Sequence, residues 1–196
     1  MRTITTTKTV FTFDELSEEA KETAIEKNYD INTDYEWHEF IYENAKTIGE
    51  LMGINIDRIY FSGFASQGDG ACFEGSYSYE KGSVKSVTEH APKDQELHRI
   101  AQELQQLQQK HFYGLTAHVK QSGHYYHANC TQINVDSEYT PTNEDFEDEI
   151  QELLKDYMNW IYSQLEKEYD YQTSKEAIKE TIEANEYEFT EDGKQA

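Results

Sequence analysis

Residues 54–79 and 111–136 carry the β-branched and aromatic residues of strands, while the segments on either side repeat their apolar positions every three or four residues, as helices do. Helices outside and strands in the middle, with no Pro/Gly/Ser-rich linker between them, confine the chain to an α+β fold. The expected arrangement is a mostly antiparallel central sheet with acidic N-terminal and C-terminal helices packed on it. The 196 residues suffice for one core, so 1–196 reads as a single α+β domain, with 185–196 as a short strand or frayed tail.

Local signals place the elements. Residues 3–13, TITTTKTVFTF, read as a strand, and Ser17 as the N-cap of a first helix. Thr33 and Glu36 form a T-x-x-E capping box for a second helix, which Gly53 closes. Residues 54–64 and 71–80 read as strands around a glycine-rich turn, and SVKSVTEH at 83–90 as a third. Pro92 opens a helix with Leu97, Ile100, Ala101, Leu104 and Leu107 on one face. Residues 111–120 and 124–136 form a hairpin around Gln121-Ser122-Gly123. The longest helix follows, capped by Thr140 or Thr142 with Pro141 in its first turn, and its stripe runs from Phe146 through Ile150, Leu154 and Met158 to Leu165. A second T-x-x-E box, Thr173 with Glu176, starts a final helix.

Charge narrows the choice of partners. The chain carries 39 acids against 17 bases, a net −22. Residues 14–50 hold twelve acids and three bases, and 136–196 hold nineteen and five, whereas 51–135 hold eight and seven. Duplex DNA and anionic membranes need clustered Lys and Arg, so direct binding to either is excluded. Segregated acidity points to a basic partner more than uniform acidity would. Apolar residues make up only 36%, but aromatics reach 13%, so a packed core is expected rather than disorder. The absence of a long apolar run and of an apolar leader implies a soluble, cytoplasmic protein.

The motifs that carry chemistry are few. Ser66-Gln67-Gly68-Asp69-Gly70 is a glycine-rich turn whose amides and Asp69 could hold an anion, a metal or a partner loop. It lacks the Lys-Ser/Thr ending of a phosphate-binding loop and the following helix of a dinucleotide fingerprint. His118, His124 and His127 lie near one hairpin, but in a strand His124 and His127 face opposite sides, and no metal-binding spacing is present. Asp30, Asn32 and Asp34 begin like a calcium loop, which fails at Tyr35 and Ile41. Cys72 and Cys130 read as buried, reduced thiols, with no nucleophile context around either. No cofactor and no metal are expected, and nothing marks an enzyme. Glu144, Asp145, Glu147, Asp148, Glu149 and Glu152 place six carboxylates within nine residues, either as a solvated helix face or as a docking stripe at phosphate-like spacing. Tyr139, Phe146 and Tyr157 are the nearby aromatic anchors for such a stripe.

Residues 13–40, FDELSEEAKETAIEKNYDINTDYEWHEF, and 56–79, with FSGF-x-SQGDGA at their centre, resemble a family of uncharacterised, acidic bacteriophage-encoded proteins loosely labelled antitoxin-like. The hairpin with Ser122-Gly123 and Tyr126-His127 fits the same resemblance. The resemblance implies a phage or prophage gene acting in bacterial cytoplasm. It carries over no catalytic residue, and it gives the Ser66–Gly70 segment more weight than a plain turn.

Together these readings predict a phage-encoded acidic binding protein. Its partner would be a basic host protein: a nuclease, a CRISPR effector or another nucleic-acid-binding protein. It would inhibit that partner by imitating DNA with the six carboxylates. The alternative is a nucleotide-like small-ligand site or enzyme on the central sheet, around Ser66–Gly70, Tyr125 and His127.

Overall fold

The computed structural model describes residues 1–3, 7–139 and 144–196, without the side chains of Glu144 and Asp145. In chain order the elements are β1 (Phe11–Thr12), α1 (Glu18–Lys27), α2 (Glu39–Met52), β2 (Ile54–Ser62), β3 (Gly70–Ser78), α3 (Ser83–His90), α4 (Gln95–Lys110), β4 (Leu115–Gln121), β5 (Thr131–Ser137), α5 (Glu144–Gln172), α6 (Lys175–Ala184) and β6 (Glu188–Phe189). The fold is α+β. Its residues group into a central unit, 38–166, and a terminal unit made of 1–37 with 167–196. Among the described residues, no helix is long and apolar enough to cross a membrane.

The central unit is built on an antiparallel sheet of order β2-β3-β4-β5. Side chains alternate across a strand, so each strand sorts into two faces. Ile59, Phe73, Tyr77, Leu115, Ala117, Val119, Ile133 and Val135 are buried on one face. Thr116, His118, Lys120, Gln132, Asn134 and Asp136 are exposed on the other. Helices cover the apolar face: Phe73 meets Tyr157 of α5 edge to face at 6.3 Å, and Gln108 of α4 donates to the Tyr77 hydroxyl at 3.2 Å. The α5 hydroxyl of Tyr157 donates to the Ala45 carbonyl of α2, which gives this buried phenol a partner. Asp94 accepts from the Leu97 amide at 3.1 Å, capping α4, and from Trp160 Nε1 of α5 at 2.8 Å. The predicted apolar stripes of α4 and α5 are the buried ones.

The terminal unit joins the two chain ends. β1 and β6 pair antiparallel, Phe11 with Phe189 and Thr12 with Glu188. Phe13, Leu16, Ala20 and Ala24 close a small core with Ile178, Ile182 and Phe189. Ser17 caps α1 through the Ala20 amide at 3.2 Å, as its sequence position predicts. Asn32, 4% exposed, donates to the Gln172 carbonyl at 3.0 Å and accepts from the Thr181 hydroxyl at 2.7 Å.

Several expectations are corrected. Residues 83–90 form α3, not a third strand: Gly82 enters at φ 87, and Ser83 and Val87, four apart, are the buried pair. The Thr33–Glu36 box does not start α2, whose N-cap is His38; the Thr33 hydroxyl turns back to the Asp30 carbonyl at 3.2 Å. Ser174, not Thr173, caps α6, through the Ala177 amide at 3.2 Å. Residues 111–114 form a turn before β4 rather than its start. Of the strand expected at 3–13, residues 4–6 lie outside the described residues and, among the described ones, only Phe11–Thr12 is strand; residues 188–189 of the tail form β6. Gly53 ends α2 at φ 82, as predicted. Thr140, Pro141 and Thr142 lie outside the described residues.

Candidate functional site

The seven residues proposed for the sheet site come together. The β2–β3 turn and the β4–β5 connection lie at the same end of the sheet, because β4 runs antiparallel to β3 from Thr116, opposite Ser78, to Val119, opposite Gly75. Asp69 closes the turn: its Oδ2 accepts from the Ala65 amide at 2.9 Å and the Ser66 amide at 2.6 Å. Two amides of the 66–70 segment are thus already taken, that of Ser66 by Asp69 and that of Asp69 by the Ser66 carbonyl at 3.0 Å. Gly68 lies flat against the Tyr125 ring, since a Cβ there would stand 2.8 Å from Cδ1. Gly70 lies equally close to His127, whose own Cβ would be 2.5 Å away. The Tyr125 and His127 rings are nearly parallel, 13° apart, with centroids at 6.1 Å.

Sequence reasoning missed the neighbours that complete this cluster. Tyr60 pairs with Cys72 and Ser62 with Gly70 across the β2–β3 ladder, so the side chains of Tyr60, Ser62 and Cys72 point to the polar face of the sheet. Tyr60 stacks on Tyr126 at 5.3 Å and donates to Glu74 Oε2 at 2.9 Å. The Glu74 Oε1 atom accepts from the Gln121 amide at 3.3 Å, tying the β4–β5 connection to β3. Cys130 Sγ lies 3.5 Å from His127 Nε2, while His127 Nδ1 and Ser62 Oγ are buried without a hydrogen-bond partner. Burial first, then Cys130 and Glu74, pushes the Cys72 thiol up to about 12, so Cys72 stays protonated. Of the two cysteines, Cys72 is fully buried and Cys130 only half-buried, which corrects the expectation of two buried thiols. His124 and His127 sit in the connection rather than in a strand, so the opposite-face argument does not apply to them. Among the described residues, no group of three side chains could hold a metal ion.

The acidic stripe occupies the start of α5. Asp148 and Glu152 are exposed on the side away from Phe146 and Ile150, whereas the exposed Glu149 and the half-buried Glu147 flank that apolar stripe. Glu144 and Asp145 belong to the same helix, but their side chains lie outside the described residues. Glu149 meets Lys110 of α4 at 3.8 Å. It lines a groove of about 330 Å³ between α4 and α5 with Arg99, Glu103, Glu152 and Asp156. Arg99 binds Glu96 and Asp156 at 2.6 Å and Glu103 at 2.8 Å. These contacts, Glu96 first and then Asp156, push the guanidinium up from its ordinary value, and Arg99 in turn lowers Glu96. The groove is therefore acidic but partly neutralised on its α4 side.

The aromatic neighbours of the stripe are not those expected. Phe146 and Tyr157 are core residues, 4% and 0% exposed. Tyr139 is exposed, and Phe112 and Tyr113 join it from the turn between α4 and β4. The Tyr139 ring seats on Gly114, where a Cβ would stand 2.6 Å from its Cδ2, and the His111 ring lies 4.5 Å from Phe146 at the start of α5. The exposed rings and the acidic helix thus share one corner of the central unit.

Both clusters fall in the central unit. No curated protein and no solved structure matches the chain. Residues 37–175 match the model of a family described as a domain of unknown function, DUF8835, a span that contains the whole of the central unit and little of the terminal one. Since that match covers more than half of the sequence, the chain belongs to the DUF8835 family.

Proposed function

We propose that this chain is a phage-encoded acidic binding protein that inhibits a basic host protein in the bacterial cytoplasm. The partner is a nucleic-acid-binding or defence protein, such as a nuclease or CRISPR effector, and the carboxylates of α5 take the place of phosphates on its surface. The observation carrying this reading is that Asp148 and Glu152 are exposed on α5 with no ion pair among the described residues. The net charge supports it: the central unit holds twenty-one acids and nine bases, net −12, and the terminal unit eighteen and eight, net −10. Such fields steer oppositely charged partners and weaken with salt. The test is to isolate the partner from host lysate and titrate it against wild type and a variant with Glu144, Asp145, Glu147, Asp148, Glu149 and Glu152 all changed to Lys. The variant is expected to bind about 100-fold more weakly, close to 3 kcal/mol, and to stop displacing DNA from the partner. Unchanged affinity would remove α5 from the interface and end the phosphate comparison.

A second reading is a nucleotide-like small-ligand site at the loop cluster. It is favoured by the buried His127 Nδ1 without a partner, beside the stacked rings of Tyr60 and Tyr126. An unpaired buried nitrogen costs about 1–3 kcal/mol, which a ligand group could recover. Thermal-shift measurements with nucleotides, with and without divalent metals, test it. A true ligand at a hundred times its Kd adds about 2.7 kcal/mol and raises the melting temperature by several degrees. No shift with any of them defeats this reading.

A further inference from the structure

We infer that the turn at Phe112–Tyr113, together with Tyr139, is the anchor by which the acidic corner takes an arginine-bearing segment of its protein partner. The inference rests on the acidic-surface reading above and specifies what that surface grips. Phe112 is 68% exposed, Tyr113 46% and Tyr139 58%. Rings of this size are usually buried; here two stand at the turn, with Tyr113 partly covered by Tyr79 at 4.5 Å, and Tyr139 is seated beside them on Gly114, which makes a concentrated apolar surface.

The backbone beneath them is costly. Phe112 has φ 54 and Tyr113 φ 62, the left-handed region that favours Gly or Asn and penalises bulky residues. The turn is held there by its neighbours: the Tyr113 amide donates to the Gln108 carbonyl at 2.6 Å, the Gly114 amide to His111 at 3.1 Å and the Glu138 amide to Gly114 at 3.1 Å. Strain over-determined in this way points the two rings outward, whereas Gly or Asn would close the same turn at lower cost.

Charge selects the occupant. Glu138 adjoins Tyr139 and pushes its phenol up, and α5 reaches the turn through Glu149, 3.8 Å from Lys110 two residues before Phe112, with Asp148, unpaired among the described residues, next to it on the helix. Exposed aromatic faces beside carboxylates suit a cation, and they suit guanidinium more than ammonium, because a flat, weakly hydrated group stacks on a ring while its N–H groups reach carboxylates. The segment is therefore richer in Arg than in Lys, and the rings supply the selectivity that carboxylates alone do not.

The test uses fluorescence anisotropy of the full chain with two labelled twelve-residue peptides, one alternating Arg and Gly and the other Lys and Gly. The arginine peptide is expected to bind about five-fold more tightly. Phe112→Asn combined with Tyr139→Ala should abolish that preference and leave a weak, salt-dependent binding common to both peptides. Phe112→Asn alone should itself weaken the preference while melting no lower than wild type, because Asn tolerates the left-handed region, so that loss cannot be ascribed to unfolding. Asp148→Lys with Glu152→Lys should weaken both peptides and keep their ratio. Equal binding of the two peptides by wild type would overturn the anchor and leave the acidic surface standing. No binding of either peptide would overturn both. A dimer in sedimentation velocity that Phe112→Asn dissolves would also overturn the inference, by assigning the corner to a second copy of the chain.

Discussion

Gln108→Leu is expected to destabilise the protein by about 3 kcal/mol or more, although it places an apolar side chain in an apolar site. Gln108 is fully buried on α4. Its Nε2 donates to the Leu115 carbonyl at 2.7 Å and to the Tyr77 hydroxyl at 3.2 Å, and its Oε1 accepts from the Leu115 amide at 3.1 Å. One side chain thus serves both backbone groups of the residue that starts β4. Leucine would bury that amide and carbonyl without partners, each at about 1–3 kcal/mol, against a modest gain in apolar contact. Urea denaturation should show a lower midpoint with an unchanged slope. A loss below about 1 kcal/mol would mean that water or a shifted backbone replaces the bridge. The effect should reach the surface as well, since the Gln108 carbonyl also receives the Tyr113 amide that fixes the exposed aromatic turn.

Gly70→Ala is the second large effect. A Cβ at Gly70 would meet His127 at its Cβ, 2.5 Å away, and at its Cα, 2.6 Å away. The obstacle is backbone rather than the end of a flexible side chain, so the β4–β5 connection must lift. Overpacking of this kind costs about 1–3 kcal/mol. Lifting separates Tyr126 from Tyr60 and carries Cys130 away from the sheet with His127, so alkylation of the half-buried Cys130 should quicken while α4 and α5 keep their protection from hydrogen exchange. Gly63→Ala, in the same hairpin, is the control: its Cβ would find the Asp69 carboxylate at an ordinary 3.4 Å. Equal behaviour of the two variants would show that the connection is not seated on Gly70.

What could be read from sequence divides along the range of the forces involved. The α5 stripe, the α4 face, the Ser17 cap and Gly53 are local in origin, and the structure keeps all of them. The start of α2 was misplaced because Thr33 has two possible partners, and the one it takes, the Asp30 carbonyl, closes a turn. Residues 83–90 misled because a short run with Val at 84 and 87 suits either period, and only burial of Ser83 with Val87 decides for a helix. At the sheet site the sequence marked the turn, Tyr125 and His127. Tyr60, Cys72 and Glu74 were within reach too, since alternation puts them on one face once the register is known. The seating of residues 122–130 on that face is a tertiary event with no local signal. For the same reason Phe112 and Tyr113 were read as strand residues, and their exposure was not foreseen.

The pairing of Phe11 with Phe189 has a consequence in time. All four strands of the central sheet lie between Ile54 and Ser137, so the sheet can assemble while the rest of the chain is still being made. The terminal unit cannot: its β1 strand precedes the whole central sheet and must wait for β6, which follows that sheet, before either finds its hydrogen bonds. During that interval Phe11, Phe13 and Leu16 have no Phe189 to pack against. For a ribosome-bound chain, the central sheet is therefore the early product and the terminal unit the late one, which makes β1 and α1 the segments most exposed to proteases or chaperones until β6 is made.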